Sequence, residues 1–410
     1  MPGHRSLLAA ITIAALVILF TPVPGTAAAT AGCGRTPTLQ NGANTIQSNG
    51  KTRNYILRIP TNYDSRRPYR LVFGFHWLNG TATDVATGQT VQRDGWSYYG
   101  LQRLAGESTI FVAPQGLNNG WANNGGEDVT FVDDMLRRIE GDLCVETTQR
   151  FALGFSYGGA MSFALACARP TVFRAVAVYS GGRLSGCGGG AQPIAYFAAH
   201  GLRDGVLNIS GGRSMRDTFV RNNGCTAQNP PEPSQGSLTH RTTTYSGCAA
   251  ARPVVWAAFD EGHIAAPQDG APGDSGSRTW LPGETWRFFT QFSSSPSPSP
   301  SPSPSPSPSG TVTGTCAATI RVTNSWQGGF QGEVTVRAGD SAVNGWTASW
   351  SWPGPQIITQ SWGGVRSGSG ANVTVRNETW NGALGAGAST TFGFLADGAP
   401  STPAAICAGP

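Results

Sequence analysis

Lysine, charge and long apolar runs are scarce in this chain of 410 residues, and each shortage excludes a class of protein. Lys51 is the single lysine, only 12% of residues are charged, and the basic side chains form no patch typical of a nucleic-acid interface. After residue 20 no apolar stretch is long enough to span a membrane. The eight cysteines include no C-x-x-C pair and no cluster with histidine, which argues against a structural zinc site. The sequence therefore predicts no nucleic-acid partner, no metal and no cofactor.

One long apolar stretch does occur, at the beginning of the chain. His4 and Arg5 precede an apolar segment, Leu7 to Phe20, that only Thr12 interrupts and that is followed by prolines and small residues. This layout is typical of a secretory signal peptide. We therefore expect residues 1–31 to be removed, with cleavage among Ala27 to Ala31, and the mature chain to be extracellular and free of the membrane. An uncleaved membrane anchor is the alternative.

Residues 293–309 divide the rest of the chain into two folded units. After three serines, serine and proline alternate without interruption, and proline at every second position favours an extended, polyproline-like rod. The first unit, residues 32–292, alternates apolar strands with helices, which predicts an α/β domain with a mostly parallel sheet. The second unit, residues 310–410, has short alternating stretches separated by glycine and asparagine, which predicts an all-β sandwich.

The predicted elements of the first unit are buried strands with helices between them. The strands are Arg70–Phe75, Thr109–Ala113, Arg150–Leu153, Ala175–Tyr179, Ile194–Ala199 and Val254–Phe259, and the helices are Val129–Ile139, Ala160–Ala168 and Gly212–Asn222. In the second unit the alternating stretches are Thr319–Val322, Glu333–Arg337, Thr347–Trp352, Val373–Arg376 and Thr390–Phe394. Reactive groups of a parallel sheet are expected at the carboxyl ends of its strands.

An even number of cysteines in an exported chain indicates disulfides. Cys316 and Cys407 are the two that follow the Ser-Pro segment, so they are expected to pair with each other. The first unit has six cysteines and many possible connectivities, of which we favour only Cys225 with Cys248, because this pair would close a Pro-rich loop.

The pentapeptide Gly154-Phe155-Ser156-Tyr157-Gly158 carries the strongest functional signal. It lies between a predicted buried strand and a predicted helix, and a serine between two glycines at this spacing turns a strand sharply into a helix with its hydroxyl exposed at the tip. In a chain with 56 glycines the pattern also arises by chance, so the prediction of a nucleophile depends on its partners.

A serine nucleophile needs a histidine base and a carboxylate that orients it, and in hydrolases of this kind they follow the serine in the order acid, then histidine. His263 comes just after the last predicted strand, whereas the alternative, His240, lies in a polar stretch between two cysteines. Asp204 comes just after the strand Ile194–Ala199. The other candidate acids fit less well, because Asp217 falls on a predicted helix and Asp260 is only three residues from His263. The sequence predicts a Ser156, Asp204, His263 triad.

Such a site also needs backbone N–H groups that bind the oxyanion. Tyr157, the residue after the nucleophile, supplies the first, and a residue near Trp77 or Leu78, after the strand Arg70–Phe75, is expected to supply the second. We interpret His76 as shaping this loop. Trp121 follows the strand Thr109–Ala113 and is interpreted either as a stacking surface at the mouth of the pocket or, equally, as a core residue.

These motifs, with His200-Gly201-x-x-Asp204, Gly262-His263, Gly120-Trp121 and Gly126-Glu127-Asp128-Val129, resemble the secreted feruloyl esterases of carbohydrate esterase family 1. The group is also similar to polyhydroxybutyrate depolymerase-like and acetylxylan esterases. The resemblance covers residues 33–292 and implies an α/β-hydrolase fold, the same triad, and release of hydroxycinnamic acids from arabinoxylan. His76-Trp77-Leu78 departs from the His-Gly that many relatives carry in the predicted oxyanion loop.

The second unit resembles a family 2 carbohydrate-binding module in five tryptophan- or phenylalanine-bearing segments bounded by Cys316 and Cys407. The resemblance implies an exposed binding face of Trp326, Trp362 and Trp380. Flat indole rings stack on glucose rings, and Gly328 and Gly329 stand where xylan-binding relatives tend to carry arginine, which favours cellulose. The alternative is that these tryptophans are core residues.

Together the two resemblances predict a secreted serine esterase that cleaves feruloyl esters of plant cell-wall arabinoxylan and is anchored to cellulose by its second domain. An acetylxylan esterase or a polyester depolymerase on the same scaffold is the nearest alternative, and a non-catalytic cellulose-binding protein is a further one. We take the chain as a monomer by default, because the sequence carries no signal for its oligomeric state.

Overall fold

The computed structural model describes residues 30–88, 96–292, 316–326, 328–368, 370–378 and 381–409, without the side chains of 323–326. The predicted signal peptide, apart from residues 30 and 31, and the whole Ser-Pro segment lie outside these residues. Among the described helices, none is both long enough and apolar enough to cross a lipid bilayer.

The first domain is built on a mixed sheet in which nine strands are described. They are β1 (Gly42–Ser48), β2 (Lys51–Arg58), β3 (Tyr69–Phe75), β4 (Thr109–Pro114), β5 (Val145–Phe155), β6 (Ala175–Tyr179), β7 (Ala195–Gly201), β8 (His240–Thr244) and β9 (Val254–Phe259). Their order is β1-β2-β4-β3-β5-β6-β7-β9-β8, and the run from β4 to β9 is parallel. β1, β2 and β8 pair antiparallel at the two edges.

Helices cover both faces of this sheet. The described α-helices are α1 (Ala82–Thr87), α2 (Leu101–Ala105), α3 (Glu127–Asp142), α4 (Tyr157–Ala168), α5 (Ile209–Asn222) and α6 (Leu281–Thr290). Successive side chains of a strand point to opposite faces, so Leu71 and Phe73 of β3 pack with α3, α4 and α5, whereas Val72 packs with α1, α2 and α6. Burial on both sides explains why the central strands are continuous apolar runs.

This architecture confirms the predicted α/β-hydrolase class, and all six predicted strands are present. β5 begins at Val145, five residues earlier than predicted, because its first half carries polar side chains that hide it in the sequence. α4 begins at Tyr157, directly after Ser156, and not at Ala160. β1, β2 and β8 were not predicted, since their sequences are mostly polar and contain no long apolar run.

The second domain is an antiparallel sandwich, as predicted. Its described strands are β10 (Cys316–Trp326), β11 (Gly329–Ala338), β12 (Val343–Asn344), β13 (Thr347–Ser351), β14 (Ile357–Trp362), β15 (Val365–Ser367), β16 (Asn372–Arg376), β17 (Ala383–Leu384), β18 (Ser389–Asp397) and β19 (Ile406–Ala408). One sheet has the order β10-β11-β18-β14 and the other β15-β16-β13-β19, with β12 and β17 forming a short ladder. The core between the two four-stranded sheets contains the buried side chains of Trp346, Trp350 and Trp352.

Both disulfides that the sequence predicts are present, Cys225–Cys248 in the first domain and Cys316–Cys407 in the second. Two further bridges, Cys33–Cys144 and Cys167–Cys187, complete the set. Cys33–Cys144 links residues 111 positions apart, at the start of the domain and just before β5. Every cysteine is therefore used, which fits folding in an oxidising compartment.

Candidate active site

Ser156 lies at the sharp turn between β5 and α4, at the carboxyl end of the central strand. Its backbone has φ 56° and ψ −118°, a strained conformation for a residue with a side chain. The turn is closed so tightly that a Cβ added to Gly154 would lie 2.4 Å from the carbonyl carbon of Gly158, and a Cβ on Gly158 would lie 2.0 Å from the Phe75 oxygen. Both glycines are thus required by close approach of the backbone, as a nucleophile elbow demands.

The predicted partners of Ser156 come together at this edge of the sheet. His263 Nε2 lies 2.9 Å from Ser156 Oγ, and His263 Nδ1 lies 2.7 Å from Asp204 Oδ2. Because the carboxylate accepts a hydrogen bond from Nδ1–H, the proton stays on Nδ1 and Nε2 is left as the acceptor for the serine hydroxyl. The side chain of Asp204 is fully buried and that of His263 is 14% exposed. The geometry is that of a nucleophile, a general base and an orienting acid.

Asp204 is held as a charged carboxylate by several hydrogen bonds. Its Oδ1 accepts the amides of Val206 and Leu207 at 2.9 and 2.7 Å. Burial by itself would raise the pKa of Asp204, but hydrogen bonds from His200, His263 and the Leu207 amide outweigh burial and hold the pKa far below its usual range. Asp204 is therefore negatively charged throughout the pH range in which a histidine can act as a general base.

The loops that carry the acid and the base are bound to each other. The Arg203 amide donates to the Glu261 carbonyl at 2.9 Å, and the Arg203 guanidinium donates to Asp260 Oδ1 at 3.1 Å. A Cβ added to Gly201 would lie 2.3 Å from the Gly262 oxygen. These contacts fix the separation between Asp204 and His263. They also show that the carboxylate of Asp260, the acid candidate that fitted less well, is hydrogen-bonded to Arg203.

The predicted oxyanion donors are the backbone amides of Tyr157 and Trp77, which follow the ends of two adjacent strands. Tyr157 is the first residue of α4, and the first amides of a helix have no partner within it. Trp77 follows β3, the strand adjacent to β5. Tyr99 ties the two strand ends together, because its hydroxyl donates to the Phe75 carbonyl at 2.6 Å and accepts the Phe155 amide at 3.3 Å. The amides of Tyr157 and Trp77 stay the predicted donors.

His76 fixes the conformation of the loop after β3, the loop that is predicted to carry the second oxyanion donor. Its Nε2 accepts the Gly116 amide at 2.9 Å, so the proton is on Nδ1, which donates to the Trp77 carbonyl at 2.7 Å. One neutral imidazole thus bridges the loops after β3 and β4. Burial lowers the pKa of His76 to about 4, against smaller upward effects of the Trp77 carbonyl and Asp84.

The buried neutral His76 makes stability depend on pH. The folded protein prefers the uncharged ring, so this stabilisation is complete above the ordinary histidine pKa of about 6.5 and is lost as pH falls toward about 4. We expect the contribution to be about 3 kcal/mol. Urea unfolding of the wild type and of His76→Gln, measured between about pH 7 and pH 4, should show a steeper acid loss in the wild type. Parallel pH dependences would contradict this assignment.

Trp121 is a core residue, and the alternative of a stacking surface at the pocket mouth is wrong. Its side chain is 0% exposed and its Nε1 donates to the His76 carbonyl at 2.8 Å. The ring also packs edge-on against Phe75 with 5.1 Å between centroids. A fully enclosed indole cannot stack on a substrate; Trp121 supports the oxyanion loop from beneath instead.

Of the three binding tryptophans predicted in the second domain, the side chain of Trp362 is described. Trp380 and the side chain of Trp326 lie outside the described residues. Trp362 ends β14 opposite Gly393 of β18, and its indole lies flat over that glycine, where a Cβ would be 2.4 Å from Cζ2. The ring is half-buried and also packs beside Gly283 of α6, so a polysaccharide that binds it has to replace this contact.

Comparisons with known proteins show which families the two domains resemble. A feruloyl esterase C from Emericella nidulans is 50% identical over 270 residues, 66% of this chain and 93% of that protein. A feruloyl esterase D from Neurospora crassa is 45% identical over 284 residues, 68% of this chain and 96% of that protein. Residues 316–408 match the cellulose binding domain family, and 84 residues are 57% identical to an endoglucanase A from Thermobispora bispora, covering 20% of this chain and 18% of that protein.

The fold and these relatives define the chain as an esterase of the α/β-hydrolase class that carries a second, all-β domain. More closely, the chain belongs to the feruloyl esterase family of these relatives, and its second domain matches the cellulose binding domain family over residues 316–408. Both resemblances drawn from the sequence are thereby confirmed.

Proposed function

We propose that this protein is a secreted serine esterase that hydrolyses feruloyl and related hydroxycinnamoyl esters of plant cell-wall arabinoxylan through an acyl-enzyme. The observation that carries the proposal is the unbroken chain of hydrogen bonds from Ser156 Oγ through His263 to the buried carboxylate of Asp204. The proposal for the substrate draws on the feruloyl esterases to which the chain is similar. The paired cysteines and the apolar beginning of the sequence support export.

The reaction proceeds in two matched halves. His263 Nε2 takes the hydroxyl proton as Ser156 Oγ attacks the ester carbonyl, and the backbone N–H groups of Tyr157 and Trp77 bind the oxyanion that forms. As the C–O bond to the sugar breaks, His263 returns the proton to the leaving sugar oxygen. Water then attacks the feruloyl ester on Ser156 and loses a proton to His263 Nε2. As the bond between the acyl carbon and Ser156 Oγ breaks, His263 returns that proton to Oγ, and the free acid leaves.

The second domain supplies location and no chemistry. Its family and the flat Trp362 ring over Gly393 support binding to cellulose, with Trp326 and Trp380 as the other members of the predicted face. A module held on the cell wall raises the local concentration of a sparse ester without changing the esterase site.

A comparison of ferulate release with acetate release tests the proposed activity. The enzyme is expected to release ferulate from methyl ferulate and from feruloylated arabinoxylan, and to release acetate from acetylated xylan much more slowly. Product acids are quantified by chromatography under identical conditions. Acetate release without ferulate release would assign the scaffold to acetylxylan and contradict the proposal.

The binding role of the second domain is tested by Trp362→Ala in the full chain. Removing one stacking ring is expected to weaken adsorption to crystalline cellulose by about tenfold, or ~1.4 kcal/mol, and to leave hydrolysis of soluble methyl ferulate unchanged. Ile406→Ala is the matched control, since Ile406 is an exposed apolar residue of the other sheet. Equal adsorption of the two variants would remove Trp362 from the binding face.

A further inference from the structure

His200 is a buried histidine beside the triad that the proposed mechanism does not use. It belongs to β7, four residues before Asp204, and its side chain is 2% exposed. Its Nε2 lies 2.6 Å from the Leu207 carbonyl oxygen and 3.4 Å from Asp204 Oδ2. A carbonyl oxygen only accepts hydrogen bonds, so the His200 proton must be on Nε2. That N–H therefore points at the loop that carries the catalytic acid.

The contacts of His200 close this loop upon itself. Asp204 Oδ1 accepts the Leu207 amide at 2.7 Å, while His200 Nε2 donates to the carbonyl of the same Leu207. One residue of the loop is thus bound from both ends, once by the acid and once by the histidine. The second acid oxygen, Oδ2, faces both His200 and His263.

The ring of His200 is itself held in place. It lies parallel to Trp256 of the neighbouring strand β9, with an interplanar angle of 24° and 6.3 Å between ring centroids. On the side of α5, a Cβ added to Gly212 would lie 2.4 Å from His200 Nδ1, so the helix backbone packs directly on the ring. A donor confined between a sheet and a helix can fix the direction of a loop, which a solvent-exposed donor cannot.

We propose that His200 is a positioning residue for the catalytic acid. Through Leu207 and Asp204 it holds the loop so that Oδ2 faces His263 Nδ1. Without the Nε2 donor, Asp204 keeps its amide hydrogen bonds through Oδ1, but the loop that carries them is free to shift and the orientation of His263 is lost. The inference rests on the proposed serine mechanism and adds to it a residue that acts through Asp204, without touching the substrate.

Two substitutions separate the donor from the ring. His200→Phe keeps a ring between Trp256 and Gly212 but removes the donor, and His200→Gln keeps an N–H near the position of Nε2. We expect His200→Phe to lower kcat on methyl ferulate by about 30-fold, since a misplacement of about 1 Å costs up to on the order of 10²-fold. KM should stay within about twofold, because substrate binding is not involved. His200→Gln should recover most of the lost kcat.

His240→Phe is the matched control. His240 also donates toward a carboxylate, that of Asp269, at 2.9 Å and also stacks on a tryptophan, but it lies outside the triad. We expect its kcat to equal that of the wild type. A wild-type kcat in His200→Phe, or equal losses in His200→Phe and His200→Gln, would overturn the positioning role. If His200→Phe does not fold, His200→Asn replaces it, because the shorter asparagine amide cannot reach the Leu207 carbonyl. Equal kcat values of His200→Asn and His200→Gln would then contradict the proposal.

Labelling of Ser156 by an organophosphate distinguishes this inference from the proposed function. If the wild type is labelled at Ser156, and His200→Phe is labelled and hydrolyses methyl ferulate at the same rates as the wild type, only the role of His200 is contradicted. A wild-type enzyme that hydrolyses methyl ferulate but is not labelled at Ser156 contradicts the serine mechanism itself. Slower labelling of His200→Phe, restored in His200→Gln, supports both.

Discussion

Replacing Ser156 with alanine is expected to lower kcat on methyl ferulate by on the order of 10⁶-fold. Ser156 Oγ is the hydroxyl hydrogen-bonded to His263 Nε2, and the glycines of the elbow, Gly154 and Gly158, have no side chain that could replace it. His263 would keep its hydrogen bond to Asp204 but would have no hydroxyl to activate. Residual ferulate release above background is measured with high enzyme concentrations.

The same variant should bind cellulose like the wild type, since the second domain has its own core and its own disulfide. Ser162→Ala is the matched control. Ser162 lies on α4, the helix that follows Ser156. It is buried, and its hydroxyl donates to the Gly158 carbonyl at 3.0 Å. The Ser162→Ala variant is expected to lose about 1 kcal/mol of unfolding free energy and to keep the wild-type kcat. Substantial activity in Ser156→Ala would mean that another group is the nucleophile.

Asp204→Asn is expected to lower kcat by about 10⁴-fold near neutral pH. The asparagine oxygen would still accept the amides of Val206 and Leu207, which places the NH₂ group opposite His263 Nδ1. Two donors cannot face each other, so His263 would move its proton to Nε2. The ring nitrogen beside Ser156 would then carry a proton and could not act as the base.

Asp217→Asn provides the comparison for this loss. Asp217 is an acid candidate of the sequence that the structure places on α5, half-exposed and bonded to Arg216. Steady-state kinetics of the two variants should differ by about the full 10⁴-fold. Similar activities would show that Asp204 does not orient the base.

The triad could be predicted from the sequence because each member follows an apolar strand directly. Parallel strands end at one edge of the sheet, so the order along the chain and the end of each strand were enough to bring Ser156, Asp204 and His263 together. The glycines of the elbow carried the same information, since only close approach of the backbone explains their spacing.

Other features depend on contacts that no local pattern records. The sequence around Trp121 does not distinguish a side chain that faces the substrate from one in the core. The contact that decides it, with the His76 carbonyl, is made to a residue 45 positions away in the chain. His200 was visible as part of a motif, but its role requires that the loop fold back until the Leu207 carbonyl reaches the ring. The strands β1 and β2 were missed because most of their residues are polar.

Trapping of the acyl-enzyme tests the central claim most directly. Wild-type enzyme turning over methyl ferulate is quenched in acid, and intact-protein and peptide mass spectrometry locate any covalent adduct. The serine mechanism predicts one feruloyl group per chain, on the peptide that contains Ser156, and no adduct in Ser156→Ala. Ferulate release by an enzyme that never carries a feruloyl group on Ser156, under conditions where acylation outpaces hydrolysis of the acyl-enzyme, would contradict it.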